Sequence, residues 1–208
     1  MAVLGSTRRR RLVLAAFALS LVLACLGGTA RASTSTGSGC SYGASEHPFM
    51  RWLDPATYTL IPGGSFEGGA SGWTLAGGAK VVAGNESYYA HSSSDRSSLA
   101  LPAGASATTP RFCVSLVRPT IRLFVSNTGS SASRLGVKVV FRGPLGILGT
   151  LDGGTVSAGK AWQPTPIMLA TLSAPLGTDS AQFVFSTKAD GGSWRIDDAY
   201  VDPWVNLR

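Results

Sequence analysis

Charge is scarce in this chain: of 208 residues only 14% are Asp, Glu, Lys or Arg, histidine occurs twice and cysteine three times. His47 and His91 fall in segments that read as arm or loop. No His/Cys cluster has the spacing of a zinc site, and neither a phosphate-cradling glycine loop nor a dinucleotide fingerprint is present. The string Gly39-Cys40-Ser41-Tyr42-Gly43 matches a nucleophile elbow by letters alone. No strand leads into it and no helix follows, which removes it as a catalytic serine. Helical periodicity is also missing, since no stretch combines it with caps over three turns.

Long apolar runs are confined to the start. Arg8 to Arg11 form a basic region, residues 12–26 form an apolar run broken only by Ser20, and Ala30-Arg31-Ala32 supplies a small-x-small cleavage site. This is the pattern of a secretory signal peptide over residues 1–32. The run of about 15 residues falls short of the roughly 20 that a spanning helix needs, so no transmembrane segment is expected in the mature chain. Five of the 18 basic residues and none of the 11 acidic ones lie in this leader, leaving 13 against 11, a balance of +2. The high pI is thus a targeting effect and gives no support to nucleic-acid binding. The reading makes the protein secreted, with Cys40 and Cys113 as the cysteines of the mature chain. Outside the cytoplasm two cysteines suggest one disulfide, closing a loop of about 73 residues and contributing on the order of 4 kcal/mol.

What is present is short strands and turn residues, with 26 glycines and 11 prolines. Residues 33–57 read as a flexible arm ending in an aromatic wrap, where Phe49-Met50-Arg51-Trp52-Leu53 is cut off by Asp54-Pro55. From residue 58 to 208 the chain reads as one domain. Residues 120–126 place Ile121, Leu123 and Val125 on one face, and residues 135–142 place Leu135, Val137, Val139 and Phe141 inward with Lys138 and Arg142 outward. Residues 58–61, 80–83, 98–101, 147–151, 182–186 and 195–201 are further strands, and residues 168–172 read as one helical turn. The pattern predicts an all-β, antiparallel β-sandwich or barrel with a disulfide-stapled N-terminal arm.

The few carboxylates cluster toward the two ends of this domain: Glu67 near its start, Asp197 and Asp198 in its final strand. The first and last strands of an antiparallel sandwich often lie side by side, so these three could share a hard cation such as calcium at one edge. The alternative is that Asp197 or Asp198 faces solvent or pairs with Arg195 or Arg122. Paired carboxylates for glycoside hydrolysis, drawn from Glu67, Glu86, Asp152, Asp197 and Asp198, need an open cleft between them. A domain this small has little chain to build one, and no enzymatic activity is expected.

Gly64-Ser65-Phe66-Glu67 followed by Trp73, and Trp194-Arg195-Ile196-Asp197-Asp198-Ala199-Tyr200-Val201, resemble the opening and closing strands of galactose-binding-like jelly rolls. The likeness is to carbohydrate-binding modules of the family 4, 9 and 22 type, over about residues 58–204, and the chain also resembles exported proteins of actinobacteria. The resemblance implies a jelly roll, a structural calcium on Glu67 and on Asp197 or Asp198, and a polysaccharide or glycan partner. One departure is Gly63, where those modules commonly carry Asn.

Sugar recognition requires exposed rings flanked by polar groups. Tyr88, Tyr89, Trp162 and Trp204 are the candidate rings, with Asn85 and Glu86 in the same loop as the two tyrosines. Each ring has ordinary packing as its alternative, and Trp73 and Trp194 are expected in the core. Two functional readings therefore stand: a secreted carbohydrate-binding module, or a secreted structural or protein-interaction domain without a sugar site.

Overall fold

A computed structural model describes residues 43–113, 120–169 and 174–202, all within a compact unit spanning Gly39–Arg208. The strands are β1 (Ser45–Glu46), β2 (Tyr58–Leu60), β3 (Thr74–Ala76), β4 (Lys80–Ala83), β5 (Ser97–Leu101), β6 (Ser106–Thr108) and β7 (Phe112–Cys113). They continue as β8 (Thr120–Asn127), β9 (Leu135–Gly143), β10 (Gly146–Val156), β11 (Gln163–Pro164), β12 (Met168–Leu169), β13 (Ser180–Ser186) and β14 (Trp194–Asp202). A single 3-10 turn, Met50–Trp52, is the one helical element among the described residues. The fold is an all-β sandwich of two antiparallel sheets.

The first sheet is organised around β14. Strand β8 pairs along one side of it, from Trp194↔Asn127 to Asp202↔Thr120. On the other side two strands follow one another, β5 against Trp194 to Ile196 and β2 against Tyr200 and Val201. Where the partner changes, β14 advances from Asp197 to Tyr200 while β8 moves only from Phe124 to Arg122. That extra residue is a β-bulge. It is held by Ile61 N–H donating to Ala199 O at 2.8 Å and Ala199 N–H donating to Gly64 O at 3.2 Å. Gly64 is required there by close approach, since a Cβ would lie 2.8 Å from the carbonyl oxygens of both Ala199 and Ile61.

The second sheet repeats the plan around β13, with β9 on one side and β6 and β7 in tandem on the other, and with β10 and β3 outermost. Its inward positions are those that alternation predicts: Leu135, Val137, Val139 and Phe141 on β9, and Ala181, Phe183 and Phe185 on β13. They meet Ile121, Leu123 and Val125 of β8 and Trp194, Ile196, Ala199 and Val201 of β14. Burial of this apolar surface drives the sandwich together, at about 1.5–3 kcal/mol for each large side chain. Trp73 and Trp194 belong to this core.

A second core covers the opposite face of the first sheet. Phe124 and Tyr200 point away from the inter-sheet core and pack with Phe49 and Tyr58, all four wholly buried. Phe49 lies edge-on to Tyr58 at 4.9 Å and stacks on Phe124 at 5.4 Å between ring centroids. Beneath it Arg122 donates to Asp54 Oδ2 and to Thr165 O, and Tyr58 Oη–H donates to the same Asp54 oxygen at 2.8 Å. The aromatic wrap is thus built into the domain from Ser45 onward, because β1 pairs with β2 and Phe49 fills this face.

Two expectations change. Met168 and Leu169 are not a helical turn but a strand against Ile121 and Thr120 of β8, where an extended backbone satisfies the ladder that a helix would leave open. The strand expected to open the domain, β2, does lie beside the last, Tyr200↔Leu60, yet β14 is central in its sheet instead of at an edge. The leader, Cys40 and Trp204 lie outside the described residues. Cys113 is engaged and is not a free thiol.

Candidate functional site

The bulge in β14 puts Asp197 and Asp198 in succession beneath the loop that joins β4 to β5. Asp198 takes a left-handed backbone, φ 43°, which for a non-glycine residue is a strained conformation. Both carboxylates are fully buried, and the loop supplies two more buried acids, Glu86 and Asp95. Among the described residues no Lys or Arg pairs with any of the four; the basic side chain beside them is His91, whose Nδ1 lies 2.8 Å from Asp95 Oδ2.

Backbone amides satisfy most of this charge. Asp197 Oδ2 accepts from Glu86 N–H at 2.8 Å and its Oδ1 from Asp198 N–H at 2.9 Å. The Glu86 oxygens accept from the N–H groups of Tyr88 and Ala90, closing the loop on itself. Asp198 Oδ2 accepts from His91 N–H at 3.2 Å, while its Oδ1 is buried with no hydrogen-bond partner. Burial, reinforced by the Asp198 charge, pushes the Asp197 carboxyl up to about 9. Burial together with the Glu86 charge lifts Asp198 to about 7, and burial outweighs the amide hydrogen bonds to raise Glu86 as well. For His91 burial opposes the cation, but the hydrogen bond and charge of Asp95, with Asp198 behind it, win and raise its affinity for a proton.

The residues expected to share a cation are only partly brought together. Glu67 is exposed, and its Oε1 accepts from the N–H groups of Arg96 and Ser97 at 2.8 and 2.6 Å. The side chains whose ligand atoms fall within 4.8 Å of one another are His91, Asp95 and Asp198; of Glu67, Asp197 and Asp198 only the last belongs to this set. Arg122 and Arg195 do not pair with the aspartates, Arg122 being held by Asp54 and Arg195 by Ser98 and the carbonyls of Ala83 and Gly84.

The candidate sugar contacts separate in the same way. Tyr88 is half-buried, edge-on to Trp52 at 4.8 Å, and donates to Trp162 O at 2.9 Å, which makes it part of the second core. Trp162 is half-buried, with the Arg195 guanidinium 5.8 Å from its ring centre. Glu86, wholly buried and spent on backbone amides, braces the loop and presents no oxygen to the surface. Asn85 is half-buried and donates to Glu86 O. Tyr89 alone of the described candidate rings is well exposed, at 48%, lifted out by a left-handed backbone of φ 54° with Arg96 5.7 Å from its ring centre. A separate hollow of about 280 Å³ lined by Asn127, Ser131, Ala158 and Lys160 carries no ring.

No protein-family model matches the chain. No curated protein matches it by sequence either. Solved structures do resemble it. Over 67% of this chain, and a fifth of the other, it superposes on the enzymatically active domain of bacteriophage CBA120 tailspike protein 4, with TM-score 0.53 and 16% identity. The CBM22-1 xylan-binding domain of Paenibacillus barcinonensis Xyn10C matches over 66% of this chain and 90% of its own, with TM-score 0.45 and 17% identity. TmCBM61, solved with β-1,4-galactotriose, matches over 68% and 96%, with TM-score 0.46 and 16% identity. At 16% identity the likeness to the tailspike domain is one of fold alone.

Proposed function

We propose that this chain is an exported, non-catalytic glycan-binding module in which Tyr89 is the principal sugar-contacting ring. The observation that carries the reading is the exposure of Tyr89 on a loop whose base is fixed by Glu86 and by the β14 bulge. A pyranose face stacks on such a ring without the ring having to be ordered first, and that lowers the entropy cost of binding. Arg96, exposed on the same loop with its guanidinium 5.7 Å from the Tyr89 ring centre, supplies donors for hydroxyl groups. Export rests on residues 1–32, and a Cys40–Cys113 bridge is proposed as the staple between the arm and β7.

The test is affinity electrophoresis and calorimetry against a polysaccharide panel that includes xylan and β-1,4-galactan. Specific binding that falls about tenfold in Tyr89→Ala, near 1.4 kcal/mol, is expected. A blank panel, or binding indifferent to Tyr89→Ala, refutes the reading and favours the structural or protein-interaction domain.

A further inference from the structure

We propose that His91, Asp95 and Asp198 form a binding site for one divalent cation of the zinc class. The three residues come from two parts of the chain that the β14 bulge brings together, and their ligand atoms already lie within 4.8 Å of one another. Ligands 2.0–2.1 Å from a tetrahedral ion stand about 3.4 Å apart, so the approach needed is small. A second, independent observation points to a ligand: Asp198 is wholly buried, and its Oδ1 has no hydrogen-bond partner. A buried carboxylate oxygen left unpaired is costly, and a cation removes that cost.

The donor set selects the metal. Calcium takes six to eight oxygens. Here both oxygens of Asp197, both of Glu86 and Oε1 of Glu67 are already held by backbone amides, which leaves the carboxylates of Asp95 and Asp198. An imidazole nitrogen with two carboxylates suits zinc and its neighbours in the first transition row. The His91 side chain is one-third exposed, so the ion has an entry path and water completes its shell. Binding would replace the direct contact between His91 Nδ1 and Asp95 Oδ2 with two metal bonds and tie the loop that carries Tyr89 to the closing strand.

The assay is calorimetric titration of the metal-stripped full chain with zinc, manganese and calcium salts, without any glycan, so that its outcome is independent of the Tyr89 reading. Zinc is expected to bind one per chain, to exceed calcium in affinity, and to raise the unfolding midpoint by about 5–10 °C at a hundredfold excess over Kd. His91→Ala and Asp95→Asn each cut zinc affinity at least about tenfold, whereas His47→Ala leaves it unchanged. Cobalt in the same site gives visible bands that change in His91→Ala. Absence of stoichiometric zinc binding, zinc binding indifferent to His91→Ala, or calcium binding as tightly as zinc would each overturn the assignment.

Discussion

Replacing Asp54 by Ala removes a buried counter-charge that Arg122 holds, the Arg122 side chain being 9% exposed, and leaves its guanidinium packed against the ring of Phe49 without that carboxylate. Breaking a buried pair from one side costs about 3–5 kcal/mol, because the remaining charge has lost its partner and cannot reach water. The same change strips Tyr58 Oη and Ala56 N–H of their acceptor, which places the loss in the upper part of that range. For a domain of this size the midpoint should fall by roughly 6–20 °C. Replacing both partners, Asp54→Ala with Arg122→Met, leaves no orphaned charge, so the double variant should be more stable than the sum of the single losses by about 2 kcal/mol or more. Urea unfolding of the wild type, the two single variants and the double variant closes the cycle. If Asp54→Ala lies within about 1 kcal/mol of wild type, or if the single effects simply add, the pair is not the buried coupling described here.

Gly64→Ala should cost about 1–3 kcal/mol, since its Cβ would meet the Ala199 and Ile61 carbonyl oxygens at 2.8 Å, whereas Gly68→Ala, with nothing within 4 Å, should be near neutral. Equal urea midpoints for the two variants would remove the argument for close approach. In the metal-stripped protein, Asp197 and Asp198 keep their protons to about pH 9 and 7 when folded but release them near 3.8 when unfolded. The folded state therefore binds more protons across this window, and stability should decline as pH rises from about 4 to 9. A melting midpoint that climbs over that range would contradict the burial of the two acids.

The strands of the sandwich were readable because one face of each alternates cleanly. Leu135, Val137, Val139 and Phe141 announce β9 without ambiguity, and Ile121, Leu123 and Val125 announce the inner face of β8. The second core was harder to see. In β8 all eight residues are buried, so the phase occupied by Arg122 and Phe124 looks outward by alternation while it is covered by Phe49. Phe124 and Tyr200 at outward positions were the signal that something lies over them. Of the acidic cluster, the Asp197-Asp198 pair was legible as a dipeptide in a closing strand. Its partners were not, because His91 reaches Asp198 across 107 residues of chain and Glu86 reaches Asp197 across 111. A bulge inserts one residue and exchanges which face an aspartate occupies, and strand periodicity carries no mark of that.

Strand β14 pairs with β8, β5 and β2 and is made after all of them. During synthesis from the N-terminus, three strands of the first sheet therefore wait with unpaired edges until residues 194–202 arrive. A chain that stops short of Trp194 does not lose an outer strand; it loses the piece against which its neighbours are registered, along with both buried aspartates. Truncation there leaves sheet edges open to pairing with other chains, whereas β14 in the complete chain covers the facing edges of β8, β5 and β2.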